Sequence, residues 1–207
     1  MDPQDLTAAC FERADQSDDA LFYREARKVV HIDDGAIAAL TSFLAEHLQL
    51  GGVYLDLMSS WRSHLPPDLN ASRVIGLGMN AEEMADNPQL DEWVVRDLND
   101  KPRLPFEDQS FDAVICTVSV QYITHPVNIF HDVNRILNPG APFLVSFSNR
   151  CFPQKAIALW LAMTNAQHIE LVESYFSGDW DEVQNRNCLT EEADPLFVVW
   201  ANRSALE

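Results

Sequence analysis

The chain has 207 residues, of which 47% are hydrophobic and 22% are charged, a composition that excludes wholesale disorder and fibrous repeats. Its 32 acidic and 14 basic residues give a formal net charge of -18, which disfavours binding to nucleic acid or to an anionic membrane surface. It contains only 7 glycines and no Gly-Lys step, so a phosphate-binding loop of the Walker A type is excluded.

The chain is expected to hold one folded domain preceded by an arm. Acidic residues are frequent and large apolar groups are scarce at the start of the sequence, which predicts a flexible N-terminal arm over residues 1–20. The remaining residues, 21–207, are expected to form a single domain, since their number is typical of one.

Cysteine usage and hydropathy predict the compartment. The four cysteines show no metal-binding spacing, which favours a reduced protein without a metal site; they are Cys10, Cys116, Cys151 and Cys188. The sequence shows no apolar N-terminal segment and no apolar stretch of about 18 residues, so neither a signal peptide nor a membrane span is expected. A cytoplasmic protein that binds no membrane follows as the expectation.

Hydrophobic spacing predicts alternating strands and helices. The first half predicts, in chain order, a helix over 34–50, strands over 53–57 and 73–77, a short helix over 82–86, and strands over 92–95 and 111–118. The second half predicts a helix over 126–137, a strand over 142–148, helices over 154–163 and 166–176, a hairpin strand over 182–188 and a last strand over 196–201. This order favours an α/β fold with a mostly parallel sheet, helices on both faces and a ligand beyond the carboxyl ends of the strands.

Two central segments carry a family resemblance. DLNDKPRLPFEDQSFDAVICTVSVQYITHP over 97–126 and DVNRILNPGAPFLVSFSN over 132–149 resemble the motifs of class I S-adenosylmethionine-dependent methyltransferases, the methyltransferase type 11 group in particular. The resemblance runs in order from residue 53 to about 201. It implies a Rossmann-like, doubly wound sheet of seven strands in the order 3-2-1-4-5-7-6 with the last strand antiparallel. It also implies S-adenosylmethionine as cofactor and methyl transfer to a small-molecule acceptor.

The resemblance assigns the adenine end of the cofactor to Asp97 and Leu98. The Asp97 carboxylate is expected to accept from the adenine amino group and to complement a cationic ligand, and the Leu98 N–H to meet the ring. The alternative for Asp97 is a solvated loop aspartate.

The segment after the fourth strand is expected to face the transferring methyl group. Val118 is assigned there as a cofactor contact, and Gln121, Tyr122 and His125 are the candidate catalytic residues. Gln121 and Tyr122 could orient a nucleophile, and a histidine in a loop at a strand end could serve as a general base. Packing at the edge of the sheet is the alternative for Gln121 and Tyr122.

The first cofactor motif departs from the family. Strand one reaches Asp56, but the glycine positions of D-x-G-x-G-x-G hold Met58, Ser60 and Arg62. Because each of these residues carries a Cβ, the loop is expected to take another shape. The hydroxyls of Ser59 and Ser60 are expected to contact the cofactor carboxylate instead.

The second motif departs as well. Gly78 stands where the family places a ribose-binding acid, and Met79 and Asn80 follow it, with the Asn80 amide as the nearest substitute. A neutral amide binds a diol more weakly than a carboxylate does. Upstream, the segment over 22–33, with Tyr23, Arg24, Arg27 and His31, could fold over the cofactor, the alternative being a surface segment with a few anchoring aromatic residues.

Two other functions remain open. GLGMNA over 76–81 fits the dinucleotide fingerprint G-x-G-x-x-A, which would make the chain an NADP-binding oxidoreductase. The degraded motifs would also suit a non-catalytic methyltransferase-like scaffold with a binding or regulatory role. The hydrogen-bonding groups of the replacement loop favour the enzyme. The sequence does not indicate the oligomeric state.

Overall fold

The computed structural model describes residues 6–188 and 193–205. Its strands are β1 (Val53–Leu57), β2 (Arg73–Gly78), β3 (Glu92–Val95), β4 (Ala113–Thr117), β5 (Pro142–Phe147), β6 (Gln184–Asn187) and β7 (Phe197–Asn202). Its α-helices are α1 (Asp19–Phe22), α2 (Asp34–His47), α3 (Ala81–Ala85), α4 (Pro126–Ile136), α5 (Ala158–Ala162) and α6 (Asn165–Tyr175). Short 3-10 helices cover Ala8–Phe11 and Val120–Tyr122.

The strands form one sheet in the order β3-β2-β1-β4-β5-β7-β6. β1 to β5 pair in parallel, and β7 lies antiparallel to both β5 and β6. The predicted seven-stranded order and its antiparallel last strand are therefore confirmed. Because the order reverses between β1 and β4, a crevice opens at the carboxyl ends of these central strands, which is where such folds bind ligands.

Helices cover both faces of the sheet, as predicted. Alternate residues of β1 point to opposite faces, so Tyr54 packs in one cluster with Leu40 and Phe43 of α2, while Leu55 packs in the other with Phe130 of α4 and Leu171 of α6. The central strands are buried on both faces, which explains why their sequences are apolar runs without alternation.

The helix predicted over 154–163 is shorter than expected. Only Ala158–Ala162 is helical, because the Ala158 N–H donates to the carbonyl of Glu12 at 2.7 Å and cannot continue a helix from residue 154. Just before it, Lys155 turns into the interior and is 0% exposed. The prediction at this position was wrong because the N-terminal contact is not local in sequence.

Residues 6–20, which belong to the segment predicted as an arm, lie against the domain. Arg13 forms an ion pair with Asp19 at 2.6 Å, and the buried Lys155 Nζ reaches the other oxygen of Asp19 at 3.0 Å. The flexibility of this arm and its boundary with the domain stay predictions. Residues 1–5, 189–192 and 206–207, which also fall within the predicted ranges, lie outside the described residues.

Within the described parts of the chain, no helix is long and apolar enough to cross a bilayer. All four cysteines are free thiols. No group of His, Cys, Asp or Glu among these same residues could hold a metal ion.

Candidate functional site

A cleft with an empty volume of about 1200 Å³, part of it open to solvent, lies at the carboxyl ends of the strands. Residues that follow four of the strands line this cleft: Met58 after β1, Met79 after β2, Asp97 after β3 and Val118 after β4. The chain between residues 19 and 32, called the strap below, supplies the opposite wall. A cleft at this place in an open parallel sheet is the usual position of a ligand or cofactor site.

The loop after β1 is built around a buried carboxylate. Asp56, 3% exposed, accepts hydrogen bonds from the hydroxyls of Ser59 and Ser63, both at 2.6 Å. Burial raises the pKa of this carboxyl to about 6, although the two hydroxyls act in the opposite direction. Asp56 therefore fixes the path of the loop by its own hydrogen bonds.

The other hydroxyl of the loop is also engaged. Ser60 Oγ donates to a carboxylate oxygen of Glu83 at 2.6 Å. Beneath it, the Asn87 amide donates to the Ser60 carbonyl and to Ser63 Oγ, both at 2.9 Å. Ser59 and Ser60 line the cleft, but their hydroxyls donate to protein carboxylates. Their contact with a cofactor carboxylate stays a prediction. It would require each hydroxyl to rotate and donate to the cofactor instead.

Met58 and Gly78 show how the loop is accommodated although the family's glycines are absent from it. Met58, at the first glycine position, has φ 60°, the left-handed region that costs a non-glycine residue about 1–2 kcal/mol. Gly78 faces the loop, and a Cβ built on it would lie 2.2 Å from the Ser59 carbonyl oxygen. The glycine at the ribose position is thus required by packing against the loop.

Asn80 ties the strap to the domain. Its amide donates to the carbonyls of Tyr23 at 2.8 Å and Arg24 at 3.2 Å, and its oxygen accepts from the Glu83 N–H at 3.0 Å, which caps α3. Asn80 lines the cleft. Since both ends of its amide are used, binding of a ribose diol, predicted for Asn80, would need the strap to move.

The end of the cleft beyond β3 is lined by Asp97 and Leu98, whose contact with adenine stays a prediction. Asp97 is half-buried and accepts from the Asn99 N–H at 2.8 Å, which leaves further acceptor capacity on the carboxylate. Burial raises the pKa of Asp97, and the negative charge of Asp19 adds to the effect. The Leu98 N–H has no protein partner within the described chain. An acceptor and a donor therefore face the cleft side by side.

The turn after β4 is strained. Val118 has φ 48°, an outlier for a β-branched residue, and its N–H donates to the Ser146 carbonyl at 2.8 Å. The Gln121 side chain, 0% exposed, donates to the Val118 carbonyl at 2.9 Å. Gln121 therefore supports the turn from beneath and does not line the cleft.

The other two catalytic candidates separate. Tyr122 lines the cleft, its oxygen accepts from the Phe152 N–H at 2.8 Å, and burial raises its pKa to about 12. Its phenol is thus neutral near pH 7 and can donate into the cleft. His125 is exposed at the start of α4 and is not part of the cleft wall. The structure brings Tyr122 to the site but not His125, and their catalytic roles stay predictions.

The strap contributes Tyr23 and His31 to the wall of the cleft, and their contact with a cofactor stays a prediction. The His31 ring lies 4.8 Å from the ring of Phe152. Burial lowers the pKa of His31, so its imidazole is neutral at pH 7 and able to accept a proton. Because His31 lines the cleft and His125 does not, His31 is the better placed of the two to serve as a base.

Sequence reasoning missed several residues of the cleft, among them Asn99 and Asp19. The Asn99 amide donates to Asp19 at 3.1 Å and to the Tyr122 carbonyl at 3.0 Å, and so joins three separate segments. Asn99 could have been suspected, since it follows Asp97 in the same loop. Asp19 could not, because no local pattern indicates a contact that spans 80 residues.

Comparison with known proteins agrees with this geometry. A family model described as a methyltransferase domain matches residues 63–145. A malonyl-[acyl-carrier protein] O-methyltransferase from Marinomonas is 27% identical over 80 residues, which are 39% of this chain and 28% of the relative. A mitochondrial 2-methoxy-6-polyprenyl-1,4-benzoquinol methylase from Mus musculus is 30% identical over 93 residues, which are 44% and 27% of the two chains. The chain thus aligns with less than a third of either relative's length.

Solved structures share the fold at low identity. An S-adenosylmethionine-dependent methyltransferase from Mesorhizobium loti superposes with a TM-score of 0.55 at 18% identity, over 80% of this chain and 98% of that one. A Haloferax volcanii methyltransferase, solved with the activator Trm112, gives 0.57 at 15% identity over 84% and 92%. These similarities show that the chain shares the fold of S-adenosylmethionine-dependent methyltransferases and that its residues 63–145 match a methyltransferase domain.

Proposed function

We propose that the chain transfers a methyl group from S-adenosylmethionine to a small-molecule acceptor. The observation that carries the proposal is the paired Asp97 carboxylate and Leu98 N–H, which face the cleft beyond β3 in the fold of this family. The names of the two relatives, an O-methyltransferase and a benzoquinol methylase, support methyl transfer to an organic acceptor.

The residues present fit the cofactor better at one end than at the other. Asp97 and Leu98 would hold the adenine, since they offer the acceptor and the donor that its edge requires. Met58, Ser59 and Ser60 would meet the amino-acid end, with hydroxyls in place of a glycine cradle. When bound, S-adenosylmethionine supplies a methyl group from its sulfonium centre, and the sulfur is the leaving group, which becomes a neutral thioether.

The chain's own part in such a reaction is to align the acceptor, exclude water and receive a proton where the acceptor must lose one. Tyr122 and Phe152 form a wall of stacked rings 6.2 Å apart beside the methyl-facing Val118 turn. The Tyr122 hydroxyl can donate a hydrogen bond to an acceptor atom there. The neutral imidazole of His31, on the strap, can take the acceptor's proton.

The oxidoreductase alternative is not favoured by the structure. In a dinucleotide fingerprint the first glycine lies in the turn after the strand, but Gly76 lies within β2 and pairs with Asp56 of β1 and Trp93 of β3. One observation supports the non-catalytic alternative. The loop that replaces the glycine loop has its serine hydroxyls bonded to the protein carboxylates of Asp56 and Glu83.

Calorimetric titration with S-adenosylmethionine, S-adenosylhomocysteine and NADPH separates the three functions. Micromolar binding of the first two ligands is expected. Binding of NADPH alone would indicate the oxidoreductase, and no heat with any of the three would favour the non-catalytic scaffold.

Substitution of Asp97→Asn tests the adenine assignment. The amide keeps an oxygen for the Asn99 N–H but loses the charge and half the acceptor capacity, so S-adenosylhomocysteine affinity is expected to fall about tenfold, or ~1.4 kcal/mol. Asp100→Asn, an exposed neighbour outside the cleft wall, is the matched control and should bind like the parent. Equal affinity for Asp97→Asn and the parent would contradict the assignment.

A further inference from the structure

A partly buried guanidinium group without a carboxylate partner lies in the cleft. Arg27, on the strap, lines the cleft, and its charged carbon sits 4.1 Å from the ring centroid of Phe22 and 5.9 Å from that of Phe152. One terminal nitrogen donates to the Phe22 carbonyl at 2.5 Å. Of the five N–H donors of a guanidinium, the others have no protein acceptor among the described residues, and the side chain forms no ion pair with them.

The nearby carboxylates are already satisfied by other groups. Asp19 is held between Arg13 at 2.6 Å and Lys155 at 3.0 Å. Glu83 accepts from the backbone N–H of Arg27 and from the Ser60 hydroxyl, both at 2.6 Å. Within the described chain the Arg27 guanidinium has no carboxylate partner, as is also true of Arg62 and Arg96 at other points of the cleft wall, although the whole chain has a net charge of -18. A partly buried charge is costly unless a ligand or partner neutralises it, so the cleft favours an anionic ligand at this point.

The guanidinium lies near Phe152, which follows β5, while the Arg27 backbone N–H donates to Glu83 of α3. Phe152 follows β5 and donates its N–H to Tyr122, which follows β4, whereas the adenine-binding pair Asp97 and Leu98 follows β3 at the opposite edge of the parallel strands. A ligand group beside Phe152 would thus stand across the β4 turn from the adenine. Phe152 lines the cleft, and Phe22 packs against it from outside the cleft wall, with 5.5 Å between the ring centroids.

We propose that the methyl acceptor is an organic acid whose carboxylate is bound by the Arg27 guanidinium beside the Phe152 ring. The proposal rests on the methyltransferase function and narrows its substrate class. A guanidinium binds a carboxylate through two parallel hydrogen bonds, which both anchors the acceptor and sets its orientation toward the methyl group. Arg27 is then a specificity-determining residue, and the Phe152 ring selects an apolar or aromatic body on the acid.

The test uses benzoate and its neutral isostere benzamide as probes of the protein saturated with S-adenosylhomocysteine. Saturation-transfer NMR with titration should show benzoate binding at least about tenfold more tightly than benzamide to the parent. Arg27→Met, which keeps an apolar contact with Phe22, should remove this preference, and Arg27→Lys should restore part of it. Arg24→Met changes an exposed side chain on the same strap that does not line the cleft, and should behave as the parent.

The outcomes separate this proposal from the function on which it rests. If the parent binds S-adenosylhomocysteine but shows no preference for benzoate, or if Arg27→Met keeps the preference, the acid-binding role is overturned and the methyltransferase function stands. If Arg27→Met weakens S-adenosylhomocysteine while 5′-methylthioadenosine binds unchanged, the guanidinium holds the cofactor's own carboxylate, and the acceptor proposal is again overturned. Thermal unfolding of each variant identifies a loss that is due only to misfolding.

Discussion

At the carboxyl end of β3 lie Asp97 and Leu98, the residues predicted to meet the adenine, whereas at the end of β1 the three glycine positions hold Met58, Ser60 and Arg62. The first region could bind a ligand with little change, because an acceptor and a donor already face the cleft. The second region directs its polar groups inward. The two ends of one cleft therefore differ in how their loops are stabilised.

The difference shows that a tight loop can be specified by side chains in place of glycine. Glycines permit unusual backbone angles and leave backbone N–H groups free to bind a ligand. Here Asp56 accepts from two serine hydroxyls, and Asn87 supports the loop from below. Each such bond contributes about 1 kcal/mol, which offsets the cost of ~1–2 kcal/mol for Met58 in the left-handed region. The consequence is a loop with defined shape but with fewer donors left for the cofactor.

Gly78→Ala is the most disruptive way to break this arrangement. The added Cβ would meet the Ser59 carbonyl oxygen at 2.2 Å, and a backbone atom cannot yield as a side chain can. We expect the free energy of unfolding in urea to fall by about 3 kcal/mol or more, at the upper end of overpacking effects. Gly178→Ala is the control, because nothing lies within 4 Å of that position and its cost of about 1 kcal/mol comes from φ +97° alone. Similar losses in both variants would show that β2 and the loop do not pack as described.

Asp56→Asn tests the buried carboxylate at the centre of the loop. The pKa of Asp56 is raised by burial to about 6, so between its unfolded value and pH 6 the native state binds the proton more tightly than the unfolded chain. The stability from this group is complete below the unfolded pKa and is lost as pH rises through about 6. The asparagine side chain does not ionise, so its contribution to stability does not change with pH. We expect the drop in unfolding free energy from pH 4 to pH 7.5 to shrink by about 2 kcal/mol in the variant.

The acidic surface also weakens the protein as pH rises, so the comparison needs a control. Asp100→Asn removes an exposed carboxylate and should leave the pH dependence of the parent nearly unchanged. A pH profile of Asp56→Asn that runs parallel to that of the parent would mean that Asp56 is ionised without cost, contrary to its burial.

The sheet was predictable because its signals are local. The apolar run over 53–57 and the strand over 92–95 were placed at the residues where the structure has them, and most other bounds differ by one to three residues. Helix α5 was predicted too long because Lys155 and Ala158 make contacts with the N-terminal segment. No residue close to them in sequence indicates these contacts. Long-range contacts of this kind do not leave a periodic pattern.

The site was predictable where the chemistry lies next to a strand end and less so elsewhere. The predicted residues after β1 to β4 do gather around one cleft, since parallel strands end at one edge. Gln121 was expected to face the cleft, but its amide bonds the carbonyl of the strained Val118 and points into the core. Arg27 was expected near the cofactor, but its ring contacts could not be predicted, because Phe22 and Phe152 are 130 positions apart in sequence.

Met58→Gly restores the family residue and is expected to have the smallest effect. Glycine relieves the left-handed strain, worth ~1–2 kcal/mol, but removes a side chain packed against the core, so the unfolding free energy should change by less than about 1 kcal/mol. S-adenosylhomocysteine affinity should change less than about threefold, or ~0.7 kcal/mol, because the path of the loop is set by Asp56 and its serines. Calorimetric titration measures it. A gain of about tenfold or more would instead mean that glycine's freedom, and not the side-chain network, limits how the β1 end of the cleft meets its ligand.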